Sequence, residues 1–198
     1  MPRLLVATNN PGKAAEFRAL LEGCGWDVVT PRDIGLELEV EESGRDYEEN
    51  AILKATAFAC ASGLVSLADD SGLEVEALGG APGPTSARFA GEDATDADRR
   101  ALLLERLQGV PAGGRQARFR CLVAVAHPEG ETRLFEGTVG GAIAEEERGE
   151  GGFGYDPVFL LPDRGLTLAQ LPPQEKNAVS HRGRAARQAR SYLESLVR

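Results

Sequence analysis

Along the chain, short apolar runs alternate with polar, glycine- and proline-rich stretches, the pattern of strands and helices taken in turn. Leu4-Leu5-Val6-Ala7 reads as a buried first strand, Thr8 to Lys13 as a turn, and Lys13 to Leu21 as a helix. That helix turns Phe17, Leu20 and Leu21 inward and ends at Gly23. Trp26 to Val29 reads as a second strand, and Leu36-Glu37-Leu38-Glu39-Val40-Glu41 alternates strictly, with three glutamates on one face. Asp46 and Glu49 open a helix in capping-box fashion, and Ala51 to Ala61 is apolar nearly all round, which predicts a central helix. Leu64 to Leu67 is a short buried strand stopped by a Ser71-Gly72 turn, with Leu73 to Val75 a further short strand. Gly79 to Pro84 forms a rigid loop, and Thr95 caps a helix running to about Leu107. Phe119 to Val125 and Arg133 to Val139 read as long antiparallel neighbours, a hairpin at roughly 115–145 that forms the core of a second lobe. Gly149 to Pro157 is a glycine-dense loop holding Phe153 and Tyr155. Leu168 to Leu171 is a helical turn, and Ser180 caps a last helix that packs through Ala186, Ala189, Leu193 and Leu196.

The 198 residues, 42% of them hydrophobic, suit a single domain over 1–198 with two lobes. A net charge of −9 leaves no basic footprint for nucleic acid or an anionic membrane surface. No apolar run approaches the roughly 20 residues a bilayer demands, and the opening Met1 to Ala7 reads as a strand instead of a secretory leader. Three scattered cysteines, Cys24, Cys60 and Cys121, argue against a disulfide framework or a zinc site. The expectation is a soluble cytoplasmic protein with reduced thiols.

The rarest polar residues change this picture. Of 22 Lys and Arg, only Lys13, Lys54 and Lys176 are lysine, and the four asparagines are Asn9, Asn10, Asn50 and Asn177. All seven fall at 9–13, 50–54 and 176–177. A chain that writes its surface in Arg has kept a compact point charge at three places, and such a charge suits a phosphate oxygen. The strand–loop–helix around Thr8 to Lys13 aims a positive helix end at the loop, although it is not a Walker P-loop. Lys54 and Asn50 share one stripe of an apolar helix, so Lys54 points to a cleft where it meets carboxylates or phosphates. The adjacent pair Asp69-Asp70, at the end of a buried strand, is costly to desolvate unless cations meet it. Phe153, on a loop whose glycines let backbone approach a ligand, can stack on a planar base. His181, Arg182 and Arg184 at the start of the last helix suit an anion or a base carbonyl. No Cys or Lys nucleophile has a neighbouring base, which favours direct attack by water.

Taken together and in order, Thr8-Asn9-Asn10-Pro11-Gly12-Lys13, Glu49-Asn50-Ala51 with Lys54, Ala68-Asp69-Asp70-Ser71-Gly72-Leu73, Ser86-Ala87-Arg88-Phe89, Gly152-Phe153-Gly154-Tyr155-Asp156-Pro157, Glu175-Lys176 and Ser180-His181-Arg182-Gly183 closely resemble the inosine triphosphate pyrophosphatase family. Asn9 departs from the Gly or Ser of many relatives. The resemblance implies an elongated α/β fold with two lobes around a central mixed sheet flanked by helices, an active site in the inter-lobe cleft, and a homodimer. It implies Mg²⁺-dependent hydrolysis of ITP, dITP or XTP to the monophosphate and pyrophosphate. Carried onto matching positions, Asp70 is the base and a metal ligand, Lys54 its catalytic companion, and Glu41 a second metal ligand. Thr8, Asn9, Asn10, Pro11, Gly12, Lys13, Lys54 and Ser71 line the triphosphate. Phe153, Gly154, Tyr155, Asp156, Lys176, His181 and Arg182 hold base and sugar. An Arg182 aimed at purine position 6 would pair with the O6 of hypoxanthine or xanthine and reject adenine. Asp69 is the next candidate for the base, and the rivals are a nucleotide-sensing protein without turnover and a phosphotransferase.

Overall fold

The computed structural model describes residues 1–197. Its strands are β1 (Arg3–Val6), β2 (Asp27–Val29), β3 (Val65–Val75), β4 (Gln116–Ala126), β5 (Thr132–Ile143), β6 (Phe159–Leu161) and β7 (Leu166–Thr167). The helices are α1 (Pro11–Leu20), α2 (Tyr47–Ser62), α3 (Asp96–Arg106), α4 (Pro173–Val179) and α5 (His181–Ser195). The strands form one seven-stranded sheet in the order β2-β1-β3-β4-β5-β6-β7, so the fold is mixed α/β. β1 runs parallel to both β2 and β3, with Leu4 opposite Val65 and Val6 opposite Leu67, while β6 runs antiparallel to β5 and β7.

The chain divides into two units. The first comprises Met1–Asp70, Cys121–Gly137 and Arg182–Arg198. Side chains alternate across a strand, and here the alternation sorts the apolar residues of the sheet into two clusters. Leu4, Val6, Leu67, Cys121, Val123 and Val125 pack with Phe17 and Leu21 of the α1 segment and with Ala185, Ala186, Ala189 and Leu193 of α5. Leu5, Ala7, Ala68, Leu122 and Ala124 pack on the other side with Tyr47, Ala51, Ala55, Phe58 and Ala59 of α2. Ala51, Ala55 and Ala59 of α2 are fully buried while Leu53 is 42% exposed, so the helix that reads as apolar nearly all round has one buried face and one open to solvent. The second unit, Ser71–Arg120 and Thr138–His181, has one cluster built on Leu73, Val75, Leu103, Leu107, Phe119, Phe159 and Leu168.

Several expected boundaries move. Ser71-Gly72 is no turn: β3 continues through it to Val75, and Gly72 and Leu73 are buried. β3 lies between β1 and β4 in the sheet, and strand pairing overrides the local turn preference of Ser-Gly. The carboxylates Asp69 and Asp70 therefore lie within a strand, not at its exit. Helix α1 begins at Pro11, with Asn10 as its cap, so Lys13 falls in the first turn. Leu36 to Glu41 shows the alternating exposure of its sequence but joins no strand. Glu175, Lys176 and Asn177 lie on α4, a helix that the proline-rich approach hides from a reading of periodicity. Leu196 lies past the end of α5 and is exposed, so it does not pack as expected.

Candidate active site

Asp69 and Asp70 follow one another on β3 and are 3% and 4% exposed. Successive strand residues face opposite ways, and these two meet different helices. On the side of α1 and α5, Asp69 Oδ2 lies 3.1 Å from Lys13 Nζ and accepts from Arg182 Nε and Nη2 at 3.3 and 3.1 Å. Arg182, 2% exposed, donates through Nη1 to Glu16 Oε2 at 2.7 Å. Burial pushes Asp69 upward, but the charges of Lys13, Arg182 and Lys54 outweigh it and hold the carboxyl well below the usual carboxylate range. Cys121 Sγ is 3.8 Å from the same oxygen, and burial pushes that thiol far up, so it is no nucleophile.

On the side of α2, Asp70 Oδ2 accepts from Asn50 Nδ2 at 3.1 Å, and Lys54 Nζ lies 3.6 Å from Oδ1. Lys54 also donates to Glu42 Oε1 at 2.7 Å. Asn50 is fixed at its other end, where Oδ1 accepts from the Gly44 N–H at 2.8 Å. A Cβ on Gly44 would lie 2.5 Å from that oxygen, so a side chain there would dislodge Asn50. Burial raises Asp70 above its ordinary value, and Lys54 and Lys13 only partly offset it, with Glu42 adding to the rise. Lys54 is pulled down by burial but raised on balance by Asp70, Asp69 and Glu42, so it stays a cation. Two neighbours of identical chemistry are thus driven apart, Asp69 held below its ordinary value and Asp70 raised above it.

In the second unit, Asp156 Oδ2 accepts from the Phe153 N–H at 2.9 Å and from Lys176 Nζ. Lys176 is 4% exposed and its ammonium lies 4.7 Å from the centroid of the Phe153 ring, a cation–π contact. Tyr155 is buried and donates to the Ser86 carbonyl at 2.9 Å. His181 is buried with its ring stacked on Phe119, centroids 4.5 Å apart.

Of the residues expected from sequence, the first unit brings together Lys13, Lys54, Asn50, Asp69, Asp70 and Arg182. Thr8 Oγ1 accepts from the Asn10 N–H, and Asn10 Oδ1 caps α1 through the Lys13 N–H at 3.0 Å, leaving Asn9, Asn10 and Pro11 exposed with Gly12 half-buried. Ser71 follows Asp70 on β3 and is half-buried. Glu41 is exposed, and the glutamate that reaches Lys54 is Glu42. The second unit gathers Phe153, Asp156 and Lys176. Sequence reasoning missed Glu16, Glu42 and Gly44. Glu16 stands three residues after Lys13, a spacing that shares a helix face and was there to be read. Glu42 and Gly44 lie in an irregular segment with no periodicity to point them out.

A profile of the Ham1 family matches residues 4–192. A Bacillus licheniformis protein named dITP/XTP pyrophosphatase is 47% identical over 194 residues, covering 98% of this chain and 99% of its own length. The Bacillus subtilis protein of the same name is 48% identical over 195 residues, covering 98% of each. The structure of a HAM1 protein from Coxiella burnetii superposes with a TM-score of 0.88 at 41% identity, covering 98% of this chain and 100% of that one.

Proposed function

The chain belongs to the Ham1 family, and on that premise we propose that it is a nucleoside-triphosphate pyrophosphatase. It hydrolyses non-canonical purine nucleoside triphosphates (ITP, dITP, XTP) to the monophosphate and pyrophosphate, and so cleanses the nucleotide pool. The observation that carries this reading is the buried pair Asp69 and Asp70, adjacent on β3 and ringed by Lys13, Lys54 and Arg182. A protein of net charge −9 must attract a polyanion locally, and these cations are where it can.

In this reading Thr8, Asn9, Asn10, Pro11, Gly12, Lys13, Lys54 and Ser71 hold the triphosphate, and Phe153, Gly154, Tyr155, Asp156, Lys176 and His181 hold base and sugar. The water oxygen bonds to the α-phosphorus, the α–β bridging oxygen leaves with pyrophosphate, and the water's proton passes to the Asp70 carboxylate. A carboxyl raised by burial is the better base once ionised. Lys54, kept charged, neutralises anionic oxygen beside it.

The donor chemistry fits Mg²⁺. Asp70 and Glu41 are the proposed ligands, both hard carboxylates of the kind magnesium takes, and Glu41 is exposed where water can complete the shell. Among the described residues no group of three or more His, Cys, Asp or Glu could cage a metal, and magnesium, which takes one or two carboxylates plus waters and phosphates, needs none. When bound it supplies positive charge to the phosphate oxygens.

A second reading of Arg182 is favoured by its partners, since its guanidinium serves Asp69 and Glu16. If Arg182 reads purine O6, Arg182→Ala narrows the ITP-over-ATP ratio in kcat/KM more than the ITP-over-GTP ratio. If both ratios survive while activity falls, Arg182 acts through Asp69.

Phosphorus NMR of a reaction with ITP and Mg²⁺ tests the whole. Pyrophosphate with IMP is expected; orthophosphate alone, or no turnover, overturns the reading in favour of another phosphoryl enzyme or a binding protein. Chelator should abolish turnover and Mg²⁺ restore it. The proposed homodimer predicts about twice the 21 kDa chain mass by light scattering, and a mass of one chain at micromolar protein refutes it.

A further inference from the structure

The loop carrying Phe153 is shaped from two sides. From within, Asp156 accepts from the Phe153 N–H, and Gly152, with φ +71°, has no room for a Cβ, which would lie 2.1 Å from Asp156 Oδ2. From outside, helix α3 grips the next residue. Asp96 Oδ2 accepts from the Gly154 N–H at 2.8 Å, and Arg100 Nη1 donates to the Gly154 carbonyl at 2.9 Å. Four residues apart on one helix, these side chains share a face, and between them they hold both backbone groups of a single glycine. Each is itself oriented. Arg99 Nη2 donates to Asp96 Oδ1 at 2.5 Å while its Nη1 reaches the Ala87 and Ala94 carbonyls at 2.7 Å. Arg100 Nε lies 3.0 Å from Glu147 Oε2. The apolar anchors Leu103 of α3 and Leu107 just past its end are separate from this clamp and fully buried.

We propose that Asp96 and Arg100 are positioning residues for the nucleobase: by clamping the Gly154 backbone they fix the plane of the Phe153 ring on which the base stacks. This rests on the reading that Phe153 to Asp156 contact the base. Stacking is sensitive to ring placement, and a ring on a glycine-dense loop loses its orientation when the loop is unpinned. Neither residue touches substrate; both act through Gly154. The clamp governs affinity for the nucleoside end and leaves the chemical step alone, because the proton acceptor belongs to the Asp70 cluster.

The test compares steady-state ITP hydrolysis by the full chain with that of Asp96→Ala, Arg100→Met, Asp96→Asn and Phe153→Ala. Expected for Asp96→Ala and Arg100→Met is a KM about tenfold higher, the scale of one lost hydrogen bond to a positioned group, with kcat within about twofold. Asp96→Asn, which keeps an acceptor oxygen for the Gly154 N–H, should recover most of the loss. If Asp96→Ala does not fold, Arg100→Met decides alone. A raised KM in Phe153→Ala with none in the clamp variants overturns the clamp and leaves the base reading standing. An unchanged KM in Phe153→Ala overturns both. A loss of kcat equal to the rise in KM, unrescued by Asn, makes the two residues merely structural and overturns the proposal.

Discussion

The two faces of β3 carry the same side chain and treat it in opposite ways. On the face of α1 and α5, Asp69 meets Lys13 and Arg182, and its charge is more than compensated. On the face of α2, Asp70 accepts from Asn50 and lies 3.6 Å from a lysine that is shared with Glu42. Burial disfavours ionisation on both sides; what differs is how many cations answer it. Where cations are in excess the carboxylate becomes a fixed part of the structure. Where they are scarce, the carboxyl keeps the capacity to exchange a proton, at some cost in stability. One strand, through its alternation, thus places two adjacent aspartates in opposite electrostatic surroundings.

The largest expected effect lies on the α2 face. Asp70→Asn should lower turnover by about 10² to 10⁴, the range for a lost general base, measured at saturating Mg²⁺ so that lost metal affinity is not mistaken for lost chemistry. Near wild-type turnover there would erase the division between faces. The same substitution should raise the unfolding free energy at neutral pH, because it removes a buried carboxylate whose ionisation the fold opposes. The sign follows from the raised value: the penalty is absent below the unfolded pKa and complete once pH exceeds the folded one. The gain from Asn should therefore be larger at pH 7 than in acid, as denaturant titrations at two pH values will tell.

Next comes the opposite face. Asp69→Asn leaves Arg182 and Lys13 without their shared counter-charge and should cost about 3 kcal/mol, the scale for removing one partner of a buried ion pair. Its folded pKa is depressed, so the wild-type contribution is complete above the unfolded value and fades only as pH falls through the folded one. Equal destabilisation by both Asn variants would break the comparison. The smallest effect is a shift of the acid limb in kcat/KM. Lys54→Met removes the leading cation that opposes the rise of Asp70, so the limb should move to higher pH; a downward move would mean that Lys54 does not govern that group.

Much of this was legible in the chain. The clustering of lysines and asparagines pointed to the neighbourhood of the two aspartates, since a compact cation kept among arginines signals a local need, and Lys13, Lys54 and Asn50 do meet Asp69 and Asp70. The helices were legible from their caps, Asp46 and Thr95 both accepting the expected backbone N–H. What misled was local chemistry overruled by pairing. Ser71-Gly72 has the composition of a turn, yet β3 runs through it, because pairing with strands distant in sequence is invisible to a local window. The division of labour between Asp69 and Asp70 depends on Arg182, which lies 113 residues from Asp69 in sequence. The clamp on Gly154 was equally hidden, since nothing in the sequence sets Asp96 and Arg100 apart from other residues of the helix that Thr95 caps.

Carbon-detected NMR titration of the side-chain carboxyls in the metal-free protein tests the central division most directly. The expected result is that Asp69 stays ionised to the lowest pH at which the fold survives, while Asp70 takes up its proton above the ordinary aspartate value. Titration of both together near the ordinary aspartate value, or of Asp69 at the higher pH, would contradict it.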